Sequence, residues 1–212
     1  MISHTKRFIF VHIPKTGGTS VTTALRAYGL ALQGERNYES IYFKHATAPD
    51  LRRMMGDEFY RYFKFAIVRN PWDWAVSNYA FNRGLHRPWT REANLPVSAG
   101  VPDWAADWDF KRWLKWWLLN LSPQQSQMVT DSTGRLLVNE ILRFENLGAE
   151  FLRLCSILGI APVNLPHAMR TRGRESYFGY YDRETQDWVA RHFRDDIERF
   201  GYSFRSVSVT NS

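Results

Sequence analysis

The chain has 212 residues, enough for one domain with a full core, and its 44% hydrophobic and 23% charged residues are ordinary for a globular protein. A net charge of +7 and an isoelectric point near 9.7 favour anionic partners, whether nucleic acid, an acidic glycan or a polyphosphate nucleotide. The single cysteine, Cys155, excludes an internal disulfide and a cysteine-built zinc cluster, and no apolar run reaches the length of a membrane span.

The opening stretch MISHTKRFIFVHIPK is interrupted by Pro14 and Lys15 and lacks a small-residue cleavage site. It reads as a first strand rather than a signal peptide, with a cytoplasmic location as the default expectation. Arg7 to Ile13 is continuously apolar, as a strand buried on both faces would be. Thr19 to Leu30 follows as a helix with Val21, Ala24, Leu25 and Tyr28 on one side. Residues 31–47 are less regular, and SIYFKHATA is a candidate short strand running into a loop. Pro49 and Asp50 mark the start of a helix over PDLRRMMGDEFYRYF. A second clear strand, Lys64 to Asn70, is followed by Pro71 and a helix ending near Gly84.

Two strand–loop–helix units in succession predict an α/β fold with a parallel sheet and crossover helices. Residues 85–107 are rich in proline and glycine and read as a functional loop or lid. DFKRWLKWWLLN is a strongly apolar helix, Leu137 to Phe144 a third strand, and LGAEFLRLCSILGI a helix after it. An Arg/Tyr-rich loop and one closing helix, RETQDWVARHFRDDIERFGY, complete the chain. Nothing marks a linker, so one domain over 1–212 is expected. The nine Trp are read mainly as core, with a sugar-stacking surface between Trp104 and Trp117 as the alternative.

The chemistry concentrates where the first strand ends. In IPKTGGTS, Gly17 and Gly18 allow close backbone approach, Thr19 and Ser20 offer hydroxyls, and Lys15 adds a full positive charge. Such a turn suits a phosphate, the competing reading being a plain Gly-Gly turn with a surface lysine. It does not match the nucleoside-triphosphate loop, because its lysine precedes the glycines. Arg69 closes the second strand and Ser77 lies eight positions on, in the next helix. The carboxyl ends of neighbouring parallel strands share one crevice, so Arg69 is expected near the first loop, placed to grip a second phosphate bidentately.

IPKTGGTS and FAIVRNPWDWAVSNY together resemble the two cofactor motifs of the sulfotransferase superfamily. The likeness is greatest to the branch containing heparan-sulfate 2-O-sulfotransferases and bacterial relatives. ILRFENL and DIERFGY extend it over most of the chain, residues 85–107 excepted. The resemblance implies a three-layer, P-loop-like α/β sheet flanked by helices. It also implies transfer of a sulfuryl group from 3′-phosphoadenosine-5′-phosphosulfate (PAPS) to a hydroxyl of a carbohydrate or small metabolite, with no metal required. By position, Lys15, Thr16, Gly17, Gly18, Thr19 and Ser20 would hold the 5′-phosphosulfate, and Arg69 and Ser77 the 3′-phosphate. Lys15 would also serve catalysis, and residues 85–107 would be an insertion or lid on the acceptor side.

A hydroxyl acceptor needs a base, and histidine suits neutral pH. Among His4, His12, His45, His86, His167 and His192, the segment FKHATAPDL makes His45 the leading candidate, with His86 and His167 as rivals. A similar histidine serves as base in the resembled branch. His12 is read as structural and His192 as a surface residue. Arg172 and Tyr177, in the Arg/Tyr loop, are assigned to closing over the nucleotide. The competing readings of that loop are reception of an acidic acceptor and a solvated basic surface. The alternatives for the whole chain are an ATP-dependent small-molecule kinase and a basic nucleic-acid-binding protein. Against the latter, no nucleic-acid motif appears and none is expected as a partner. Oligomeric state and acceptor identity stay open.

Overall fold

A computed structural model describes residues 1–29, 45–85, 107–163, 165 and 176–205. The candidate strand before His45 and nearly all of 85–107 lie outside these residues. The chain divides into two compact units: Met1–Arg69 with Gln125–Arg172 and Val207–Ser212, and Asn70–Gln124 with Gly173–Ser206.

The first unit carries the sheet, in the order β1 (Ile2–Ser3), β2 (Phe8–Val11), β3 (Phe63–Val68), β4 (Glu140–Arg143). β2, β3 and β4 run parallel, with Phe10 opposite Phe65 and Ile67 opposite Leu142. β1 pairs antiparallel with β2 at the edge. The α/β architecture with a mostly parallel sheet and flanking helices is therefore present, with one antiparallel edge strand that the sequence did not announce.

Strand alternation decides what each face packs against. Phe8, Phe10, Phe65, Ile67 and Leu142 share one face. They are buried with Val21 and Leu25, from α1 (Gly18–Ala24) and the turn after it, and with Phe151, Leu154 and Cys155 of α6 (Leu147–Ile157). A short helix α2 (Arg26–Gly29) continues beyond Leu25. On the opposite face Lys64 reaches Phe59, in a 3₁₀ turn over Gly56–Arg61 that follows α3 (Ala48–Met55). The Lys64 ammonium donates to the Tyr62 and Phe59 carbonyls, and burial pushes it below the usual lysine range. α3 begins one residue before Pro49. Thr47 caps it, and Asp50 completes a capping box by returning its carboxylate to the Thr47 N–H.

The second unit is helical. α4 (Pro71–Leu85) starts where the Asn70 side chain accepts from the Trp72 N–H. α5 (Phe110–Asn120) is capped by Asp109. The closing helix is two helices, α7 (Arg183–His192) and α8 (Arg194–Phe200). The break is at Phe193, which is buried against Trp74 and Trp117 with ring centroids 5.6 and 5.8 Å away. Trp113 stacks on Trp117 at 5.2 Å, so these tryptophans form core, as the periodicity of the segment implies. His192 is not a free surface residue: its Nε2 lies 3.0 Å from the Ser122 carbonyl and 2.8 Å from the Ser122 hydroxyl.

The third strand is shorter than the apolar run suggested, because Leu137 and Val138 are buried ahead of it rather than in it. Thr130 pairs with Leu136 there, and an Asp131 turn precedes β4.

Candidate functional site

β2 delivers the chain into residues 12–17 at the carboxyl end of the sheet. The turn is built by its own polar groups. The Thr16 hydroxyl, fully buried, donates to the Ile13 carbonyl at 2.8 Å. Lys15 has φ of 63° and Gly17 φ of 85°, both in the left-handed region. That conformation is natural for glycine and strained for lysine. Strain of this kind persists only where surrounding contacts enforce it.

Those contacts come from β3 and from the segment after β4. Arg69 directly follows β3, and its Nη1 donates to the Lys15 carbonyl at 2.9 Å. The guanidinium lies 3.9 Å over the ring of Phe144, a cation–π contact in a buried setting. Gln125 holds the Arg69 backbone from both sides. Its Oε1 accepts from the Arg69 N–H at 2.9 Å, and its Nε2 donates to the Arg69 carbonyl at 2.8 Å. A Cβ at Gly17 would fall 2.9 Å from Leu147 and 3.1 Å from Phe144, so the loop lies directly on the start of α6.

The loop leaves a row of donors. Among the described residues, the amide N–H groups of Thr16, Gly17, Gly18 and Thr19 meet no protein acceptor. The carbonyl of Gly17 is already used by the Ser20 N–H at 3.1 Å. Successive unsatisfied amides with a lysine beside them are an arrangement suited to accepting an anion. Gly18 is buried against His12: a Cβ there would be 2.1 Å from His12 Cδ2.

His45 stands next to this loop. Its Nδ1 lies 3.0 Å from the His12 carbonyl oxygen, and the two imidazole centroids are 4.9 Å apart. A carbonyl only accepts, so His45 Nδ1 carries a proton. In the neutral ring Nε2 is then the basic nitrogen.

The structure thus brings together Lys15, Thr16, Gly17, Gly18, Thr19, Ser20, Arg69 and His45 in the first unit. Ser77 lies on α4, in the second unit, half-buried. Tyr177, in the same unit as Ser77, donates its hydroxyl to the Phe204 carbonyl and packs its ring against Phe178 and Phe204. Arg172, His86 and His167 fall outside the described residues. Gln125, Phe144 and His12 were not assigned to the site from sequence, and their roles arise from contacts between distant segments. No group of three or more His, Cys, Asp or Glu side chains that could hold a metal ion occurs among the described residues. Likewise, no helix there is long and apolar enough to cross a membrane.

A comparison with individually curated proteins gave no match. A comparison with family models matched residues 1–203 to the model described as the sulfotransferase family. That match spans IPKTGGTS, FAIVRNPWDWAVSNY and nearly the whole length of the chain, and the chain belongs to the sulfotransferase family.

Proposed function

We propose that this sulfotransferase takes its sulfuryl group from PAPS and delivers it to a hydroxyl of a carbohydrate or small metabolite, as the 2-O-type branch and its bacterial relatives do. The observation that carries the reading is the row of four amides from Thr16 to Thr19, unclaimed by acceptors among the described residues and flanked by Lys15. The residues fit the donor. A phosphosulfate needs several directed N–H groups, a cation and close backbone approach, and this loop supplies all three.

In this reading the amides of residues 16–19 and the hydroxyls of Thr19 and Ser20 hold the 5′-phosphosulfate. Arg69 and Ser77 bind the 3′-phosphate, and Arg172 and Tyr177 close over the nucleotide. When bound, PAPS supplies an activated sulfuryl group whose leaving group is a phosphate. The chain's residues supply orientation and charge. The Lys15 ammonium, carried on a backbone fixed by Arg69, offsets negative charge at the 5′ end. His45 takes the acceptor hydroxyl proton on Nε2, because Nδ1–H is directed at the His12 carbonyl. Neither step asks for a metal. Residues 85–107 are assigned to the acceptor side. A cytoplasmic location belongs to the same reading, and the one cysteine is a buried free thiol that a reducing compartment tolerates.

The test is turnover of PAPS with a panel of hydroxyl-bearing saccharides and small alcohols, following adenosine 3′,5′-bisphosphate release. Acceptor-dependent release that Lys15→Ala abolishes is the expected result. Release that is equal in wild type and Lys15→Ala contradicts the assignment of the loop.

A further inference from the structure

The donor site as described uses the backbone of His12 but gives its side chain no task. His12 is only 5% exposed. It stacks on Phe10 of β2 with centroids 5.4 Å apart and planes within 16°. It also meets Gly18, where an added Cβ would lie 2.1 Å from Cδ2, 2.2 Å from Nε2 and 2.9 Å from Cε1. Real Cβ atoms do not approach that closely, so the ring occupies the space a side chain at position 18 would need. The same residue offers its carbonyl to His45 Nδ1 at 3.0 Å.

We propose that His12 is a positioning residue for the donor site: its imidazole is the floor beneath Gly18 and fixes the amide row of residues 16–19 at a set height relative to His45. The inference rests on the donor reading of the loop and goes beyond it by assigning the buried ring. The His12 ring is in contact with both Phe10 and the Gly18 backbone. Phe10 is paired in the sheet and buried, and the close-packed interior around it restrains the ring that stacks on it. Gly18 cannot descend past the ring, and the Gly17 turn, resting on Phe144 and Leu147, cannot slide sideways. The Gly-Gly pair is therefore a fit to two different supports: Gly17 for its left-handed backbone, and Gly18 for the ring below it.

The test is a double-mutant cycle with Gly18→Ala, His12→Ala and the pair. It is read as affinity for adenosine 3′,5′-bisphosphate by calorimetry, well below each variant's melting temperature. Gly18→Ala alone should weaken binding about tenfold or more, since coupled contacts of this type are worth up to several RT. In the His12→Ala background the same Gly18→Ala change should cost little, because the added methyl occupies the space the ring vacated. Additive losses of affinity overturn the proposal. So does a double variant that recovers its melting temperature but not its affinity, which is what a purely structural contact would give. A wild-type chain that does not bind the bisphosphate contradicts the donor reading itself. The melting-temperature cycle then still reports whether His12 supports Gly18, and additive shifts there overturn that support.

Discussion

Arg69 holds the backbone of Lys15. Its Nη1 donates to the Lys15 carbonyl across 2.9 Å, and Lys15 is one of two non-glycine residues with positive φ among the described residues. The contact gives Arg69 a second task beside the expected grip on a 3′-phosphate. Arg69→Ala should therefore weaken binding of plain AMP as well as of the 3′-phosphorylated form, with the larger loss for the latter. A hydrogen bond from a charged donor is worth about 1.5–3 kcal/mol, so the AMP loss should be roughly tenfold or more. Calorimetric titration of both nucleotides against both proteins measures it. Unchanged AMP affinity would show that the Lys15 contact does not support the loop.

Removing the lysine side chain should separate chemistry from fold. Lys15→Ala should lose at least about a hundredfold in turnover, as removal of one preorganised charge-stabilising group does, with little change in melting temperature. Lys15→Gly should be as inactive, yet more stable than Lys15→Ala by about 1 kcal/mol, because glycine adopts positive φ without strain. Denaturant titration of the two variants decides it, and equal stability would mean that the left-handed backbone at residue 15 stores no strain.

Gln125 contributes through two hydrogen bonds to one residue. Gln125→Leu leaves a buried N–H and a buried carbonyl of Arg69 without that partner, which should cost about 2–4 kcal/mol of stability. The same variant should weaken nucleotide binding, since Arg69 is the link between Gln125 and the loop. Retained wild-type stability in denaturant titration would contradict the clamp.

The base assignment has its own discriminating substitution. In His45→Asn the amide nitrogen stands near the place of Nδ1 and can still donate to the His12 carbonyl, while the Nε2 base is gone. Its kcat should fall at least about a hundredfold, the usual worth of a general base, with bisphosphate affinity close to wild type. A large loss of affinity instead would make His45 a support of the loop rather than a base.

Asp182 sets a pH dependence. Hydrogen bonds from the Thr185 N–H and hydroxyl, and then the Lys111 ammonium, hold its carboxyl down at about 2, against an ordinary 3.8. A lowered carboxylate stabilises the folded state above its unfolded value and loses that contribution as pH falls through the folded value. Asp182→Ala should thus be less stable than wild type from neutral pH down to about 4. The gap should close as the pH approaches about 2. Melting curves across that range check it, and a gap independent of pH would mean the cap does not act through its charge.

What the sequence revealed of this fold follows from how local each signal is. β2 and β3 were legible because they are buried on both faces and read as apolar runs, interrupted in β3 by Lys64 alone. β1 was not, since two residues carry no period and its pairing with β2 is set by tertiary contact. The single closing helix was over-read: its charged face continues through Phe193, but the backbone leaves the helical conformation at that buried residue. At the site, the loop's glycines, Lys15 and Arg69 could be named from their types and order. The Arg69–Lys15 bond could not, because it joins residues 54 positions apart. Gln125 lies in SPQQSQM, where nothing distinguishes one glutamine from the next until Arg69 is placed beside it.

The central claim, that residues 15–20 grip the 5′ end of a sulfate donor, is tested most directly by calorimetry of adenosine 3′,5′-bisphosphate against ATP with Mg²⁺. Clear preference for the bisphosphate in the absence of metal, lost in Lys15→Ala, is the expected result. Preference for ATP–Mg²⁺, or binding of neither nucleotide, would contradict it.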